Sequence, residues 1–293
     1  MNEEKMRRFV AVLAVLIGTV LVSGSALAQE IQLTGPLAGA PAVRKLRYHR
    51  KGRFEIAPTV SFTLLDEFQR TIFVGGRLNY NLSDWLAIGV WAAGGAIHTT
   101  TSLTDQIDEK TKQRRATEPN GQVVNGQVQI SVNNRLLAPS IGQNFKDQLG
   151  SIKWIASPQI TLVPFRGKLA IFQKIFVDTD AYLFAGPAFV GLSEREDCTE
   201  NCAQSFATKS RTQIAPTFGL GLSFYIGGLA NLGLEWRAVP FAWNTGGFDT
   251  HGGAPDGRFP DNKITSDDRE FKFNQVISIN LGFSFPSEAR ASQ

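Results

Sequence analysis

The chain has 293 residues, with 30 Lys and Arg mixed along it with 26 Asp and Glu, so no excess of basic charge marks a nucleic-acid surface. Two cysteines are too few for a disulfide-built scaffold. The 28 glycines and 21 phenylalanines leave few candidates for long helices.

Residues 1–28 read as a secretory signal peptide. Lys5, Arg7 and Arg8 form a basic start, 9–22 is an uncharged and mostly apolar run, and Ala26-Leu27-Ala28 supplies the small residues before cleavage. Ala28 and Gln29 then flank the cut. An uncleaved membrane helix would take roughly 20 apolar residues, more than this run holds. Removal of 1–28 lowers the formal charge from +4 to +3.

Residues 29–53 are a polar, basic leader carrying Arg44, Lys45, Arg47, Arg50, Lys51 and Arg53. Such a segment can lie on anionic headgroups at the periplasmic face. A solvated linker is the plainer alternative.

From Phe54 the chain alternates with period two, which sends successive side chains to opposite faces of a strand. Phe54, Ile56, Val60, Phe62 and Leu64 share one face; Glu55, Ala57, Thr59, Ser61 and Thr63 share the other. The second strand sets Ile72, Val74, Leu78 and Tyr80 against Phe73, Gly75, Arg77 and Asn79. The third sets Leu86, Ile88, Val90 and Ala92 against Ala87, Gly89, Trp91 and Ala93. A fourth is expected to point Ile152, Trp154, Ala156, Ile160 and Leu162 outward.

The fifth is apolar on both faces. Tyr182, Phe184, Ala188 and Val190 are assigned outward, with Asp180 in the same parity at the strand's wet end, against Ala181, Leu183, Ala185 and Phe189. The uncharged stretch 216–234 holds five glycines and reads as two strands around Gly227-Gly228 rather than a membrane helix. Ile214, Phe218, Leu220, Leu222 and Phe224 face out on the first of these, and Leu232, Leu234, Trp236 and Ala238 on the second. The last strand sets Phe273, Ile277, Ile279, Leu281, Phe283 and Phe285 against Asn274, Val276, Ser278, Asn280, Gly282 and Ser284.

One greasy face and one small, polar face suit an all-β, antiparallel transmembrane barrel, eight strands in an up-and-down meander over 54–285. The links 99–150, 193–210 and 244–268 are long and polar, whereas 81–84 and 226–228 are short. Long and short links alternate, as outer loops and periplasmic turns do. The link 65–70 is a short exception on the outer side, and 164–177 is expected to hold a helical turn around 169–176. An even strand count puts both termini in the periplasm. Aromatics gather in two expected girdles. Tyr80, Trp85, Phe165, Phe224, Tyr225, Phe283 and Phe285 lie toward the short turns; Phe62, Trp154, Trp236, Phe241, Trp243 and Phe271 lie toward the long loops. Asn125-Gly126, between Val123-Val124 and Gln127-Val128, signals a hairpin in the longest loop.

The signal peptide, the turn at 81–85 and the closing run from Asn280 to Phe285 resemble those of small, porin-like outer-membrane β-barrel proteins of Gram-negative bacteria. Segments 52–91 and 152–191 are similar to the outer-membrane β-barrel domain proteins of myxobacteria and relatives. The resemblance implies residence among outer-membrane lipids. It also implies that Asn280, Gly282, Phe283 and Phe285 belong to the last-strand signal read by the barrel assembly machinery, although a tail at 286–293 follows that aromatic end. It implies no defined activity.

An eight-stranded barrel is just wide enough for its side chains to fill. Glu55, Arg77, Lys153, Arg211, Glu235 and Arg237 are inward candidates, and buried charges tend to be paired. Arg77 with Glu55, and Arg211 with Glu235, are the expected pairs. Cys198 and Cys202 are expected to form a small disulfide in an outer loop. No metal-binding, nucleophile-elbow or phosphate-loop motif occurs, so no cofactor is implied. His98 could serve as a lone base near the outer end of the third strand. The leading reading is a packed barrel with a structural or anchoring role, its loops or leader meeting a surface or periplasmic protein. Its rivals are a narrow channel, perhaps of ten strands, an enzyme acting on surface lipid or peptide, and a soluble β-sandwich with its greasy faces packed together.

Overall fold

A computed structural model describes residues 49–117, 123–124, 127–128, 145–171, 175–197, 207–226, 229–251 and 264–286. They belong to the compact unit 47–293. The strands are β1 (Phe54–Leu64), β2 (Gln69–Asn81), β3 (Leu86–Thr100), β4 (Val123–Val124), β5 (Gln127–Val128), β6 (Ser151–Ile171), β7 (Ile175–Arg195), β8 (Thr208–Ile226), β9 (Ala230–Trp243) and β10 (Glu270–Phe285). Eight of them close a barrel in the order β1-β10-β9-β8-β7-β6-β3-β2, every neighbouring pair antiparallel, while β4 and β5 form the separate small hairpin. Closure is made by β1 on β10, from Phe54↔Phe285 to Leu64↔Gln275.

Period-two patterning produces this wall. Along β1 the burial alternates without interruption from Phe54 to Thr63. Ile56, Val74, Leu78, Ile88, Val90, Ile160, Leu220, Leu234 and Ile279 are among the large apolar side chains left exposed around the outside. Glu55, Ser61, Arg77, Asn79, Gln159, Thr217, Glu235, Ser278 and Asn280 are buried within. Soluble proteins rarely expose apolar patches beyond a few hundred Å², roughly, and this belt encircles the barrel. A β-sandwich would hide those faces against each other, so the closed barrel excludes it.

Several strands differ from the sequence expectation. On β7 the parity is reversed: Tyr182, Phe184, Ala188, Val190 and Asp180 are buried, while Leu183 and Phe189 are exposed. Both faces are apolar, so hydrophobicity carried no sign; what decides is the interior volume that the aromatic rings fill. On β6 the ladder slips between Ile152 and Trp154, which turns Ile152 inward and leaves Lys153 exposed. The hairpin of β6 and β7 replaces the expected link and helical turn at 164–177. Pro164 cannot donate to the ladder, but a second slip between Leu162 and Phe165 absorbs it, and pairing resumes through Arg166↔Asp180 to Ile171↔Ile175.

Tyr225, Phe241 and Trp243 lie inside the barrel rather than in aromatic girdles, and Ala238, expected outward, is fully buried between the larger side chains of Phe218 and Gln275. In the longest connection an unanticipated helix, α1 (Ser102–Thr117), follows β3. It has no apolar stripe to announce it, and it starts at Thr101, whose hydroxyl accepts from the Thr104 N–H at 3.4 Å.

Candidate functional site

The interior is layered along the barrel axis. In its middle, Arg77 donates to Glu55 at 2.8 Å, to Glu235 at 2.8 Å and to the Tyr182 hydroxyl at 2.7 Å. The Tyr182 hydroxyl in turn donates to Glu235 at 3.2 Å. Arg237 donates to the other Glu235 oxygen at 2.7 Å and to Gln159 at 2.7 Å. Its guanidinium sits 4.3 Å from the Trp91 ring centroid and 4.2 Å from that of Phe184. Such faces attract a desolvated cation. Glycine makes room for these groups. Gly219 and Gly221 stand in register with Phe184 and Tyr182, and a Cβ on either would enter the facing ring.

Toward the long connections the layer becomes apolar. Phe73, Trp91, Ile152, Ile155, Val190, Leu192, Val239, Phe241 and Trp243 share one buried cluster that crosses the barrel. A fixed charge layer beneath a dry apolar layer leaves no continuous polar path for an ion.

The short-turn end is closed by residues preceding β1. Arg50 and Arg53 are buried, in contrast to the headgroup-bound or solvated leader expected at 29–53. Arg50 reaches Asp180 at 3.5 Å and Glu55 at 3.6 Å, and Arg53 donates to the carbonyls of Pro286 at 2.9 Å and Ser284 at 3.2 Å. Tyr225 donates to the same Asp180 at 3.0 Å. Asp84, in the β2–β3 turn, accepts the N–H groups of Arg50 at 2.8 Å and Lys51 at 3.2 Å. Burial pushes the Asp84 carboxyl up, but those N–H groups, Arg166 and His49 outweigh it and hold it below the usual range.

At the opposite mouth Arg211 and Glu235 are not brought together. Glu194, which the sequence reading passed over, receives Arg211 at 2.7 and 3.0 Å and Arg269 at 3.3 Å. Glu235 is a different depth away, committed to Arg77 and Arg237. Above them the connections fold on one another. Phe145 stacks on Phe248 with centroids 5.4 Å apart, and Phe68 meets both edge-on at 5.5 and 5.8 Å. Gln148 donates to Gly246 O at 2.9 Å and Arg195 to Gly247 O at 2.7 Å.

The remaining candidates are dispersed. Asn280 pairs with Gly233 and Gly282 with Asn231, and a Cβ on either glycine would collide with the facing amide, so this part of the last strand fits closely against β9. Phe285 is exposed on the belt. The Nδ1 of His98 lies 3.1 Å from the Thr71 hydroxyl. Among the described residues no group of three His, Cys, Asp or Glu side chains could hold a metal ion. Ala28, Gln29, Cys198 and Cys202 lie outside the described residues. Asp180, Tyr182 and Tyr225 escaped the sequence reading because the β7 parity was inverted and Tyr225 was assigned to a girdle. Gln159 is polar in a strand otherwise greasy, a signal that was available.

No family model matches the chain, and no curated protein matches it. Solved structures do. The N-terminal β-barrel domain of Pseudomonas aeruginosa OprF is 9% identical, over 80% of this chain and 98% of that one, with a TM-score of 0.39. The outer membrane protein OprG from the same organism is 12% identical, over 81% and 97%, with a TM-score of 0.39. Ail, the attachment invasion locus protein of Yersinia pestis, is 9% identical, over 80% and 99%, with a TM-score of 0.34. Likeness at this level concerns barrel architecture alone.

Proposed function

We propose that this chain is a sealed β-barrel of a Gram-negative outer membrane with a structural or anchoring role exercised through its outer connections. The observation that carries the reading is the combination of an apolar exterior with an interior filled by a paired charge layer and a dry aromatic layer. Strands of about 9–11 residues suffice to cross a bilayer. The 21-residue β6 and β7 therefore project beyond it. In this reading residues 1–28 are removed after Ala28, the short turns and both chain ends face the periplasm, and Asn280 to Phe285 present the last strand to the barrel assembly machinery. The resemblance to myxobacterial barrel proteins belongs to the same reading, and catalysis does not.

Fractionation of the expressed protein, with the outer-membrane fraction run on a gel with and without boiling, tests it. Recovery in that fraction with heat-modifiable migration is expected, and the folded protein should show no unit conductance in planar bilayers. Soluble recovery with no mobility shift would sink the membrane reading. Steady conductance steps would replace the sealed barrel with a channel.

A further inference from the structure

A cleft opens at the outer rim, between the β1–β2 connection and the start of β10. Two adjoining hollows, with empty volumes of about 480 and 450 Å³, share Glu67, Phe68, Trp243, Thr245 and Lys272 in their walls. Small-molecule sites fall in the range of about 300–1,000 Å³.

The two lips of the cleft differ in chemistry. The lower lip is Leu64, Leu65 and Phe273. Phe273 lies on the greasy exterior, where Phe218 at 6.2 Å and Trp236 at 6.5 Å continue an aromatic track down the wall. Leu65 is 79% exposed and has φ of 60°. A leucine in the left-handed region is strained, and here the strain holds an isobutyl group at the lip.

The upper lip is acidic. Lys272 lies 3.1 Å from Glu67 and 3.0 Å from Glu270, so a single ammonium serves two carboxylates. Asp66 adds a third carboxylate to the wall, with Arg70 behind it. The buried Oε1 of Gln69, also in the wall, accepts no hydrogen bond. Asp268 is committed elsewhere, accepting from the N–H groups of Thr250, His251 and Thr265.

We propose that this cleft seats one membrane amphiphile, with its acyl chain along Leu64, Leu65 and Phe273 and an ammonium headgroup against Asp66, Glu67 and Glu270. The apolar lip selects a lipid over a soluble amine. The carboxylate excess repels an anionic head and favours a cationic group, which Phe68 and Trp243 also favour through their ring faces. The unpartnered Gln69 carbonyl supplies an acceptor for an ammonium N–H. The inference rests on the reading of the exterior as lipid-facing.

Native mass spectrometry of the protein in nanodiscs of equal phosphatidylethanolamine and phosphatidylglycerol tests it. The protein should retain the ethanolamine lipid over the glycerol lipid by about fivefold, the scale of one exposed ion pair. Asp66→Asn should reduce that ratio. Asp66→Asn with Glu67→Gln and Glu270→Gln should reverse it, because Lys272 is then the one charge left in the walls. Phosphoethanolamine without chains should not bind. Equal retention of both lipids, a ratio unmoved by the triple variant, or binding of the free headgroup as tight as the lipid would overturn the proposal. Heat-modifiable migration of each sample separates the two readings. Without it the membrane assignment fails; with it, headgroup-blind retention removes the amphiphile site alone.

Discussion

Replacing Glu235 by leucine removes the carboxylate that Arg77 and Arg237 share. Arg77 keeps Glu55 at 2.8 Å. Arg237 keeps only uncharged neighbours: Gln159 at 2.7 Å, Thr217 at 3.4 Å and the two ring faces. Breaking a buried pair from one side costs about 3–5 kcal/mol. The rings offset at most about 2 kcal/mol of the exposed cationic need. Glu235→Leu should therefore lose about 3 kcal/mol. Arg237→Met is milder, about 1–3 kcal/mol, because Glu235 retains Arg77 and the Tyr182 hydroxyl. The double variant removes both charges and leaves the Arg77–Glu55 pair balanced. Apolar replacement of a whole buried pair is often neutral. The double variant should thus be more stable than Glu235→Leu alone. Urea unfolding in phosphatidylcholine vesicles, followed by the heat-modifiable band, measures all four proteins. A loss in the double variant equal to the sum of the single losses would refute the coupling argued from these contacts.

Gly221→Ala should cost about 1–3 kcal/mol, because its Cβ enters the Tyr182 ring and shifts the hydroxyl that joins Arg77 to Glu235. Gly94→Ala, where nothing lies within 4 Å, should stay within about 0.5 kcal/mol in the same urea assay. Burial pushes the Asp66 carboxyl up to about 6, with Glu67 adding to the rise and Thr63 and Arg70 opposing it. A raised carboxyl binds its proton more tightly in the fold, so its contribution declines as pH rises from about 4 through 6. Urea midpoints at pH 4.5 and 7 should differ less in Asp66→Asn; an unchanged difference refutes the assignment. Asp84 has the opposite sign. Its lowered carboxyl favours the closed short-turn end at neutral pH, and that contribution is lost as pH falls through its folded value. Asp84→Ala should speed trypsin cleavage after Lys51 in micelles, and an unaltered rate would mean the segment is held by Arg50 and Arg53 alone.

Wherever the two faces of a strand differ in polarity, the sequence by itself determined the architecture. Phe54 to Leu64, Ile214 to Phe224 and Phe273 to Phe285 declare their outward side residue by residue, because a one-residue slip would put a whole apolar set in the interior. The Val123-Val124 and Gln127-Val128 pairing follows from the Asn-Gly between them. The inward parity of Glu55, Arg77, Glu235 and Arg237 was legible for the same reason.

Tertiary structure alone decided three matters. It set the parity of β7, where leucine and phenylalanine faces compete and the need to cover Gly219, Gly221 and the Arg77 and Arg237 guanidinium groups selects Tyr182 and Phe184 for the inside. It placed the slips in β6 that carry Pro164 through a strand and turn Ile152 inward. It also chose the partners of the charges. Period two fixes which side of the wall a residue faces but not its depth along the axis. Depth depends on how far each strand is staggered against its neighbour as the barrel closes. That stagger sets Glu235 beside Arg77 and Arg237, and Arg211 beside Glu194.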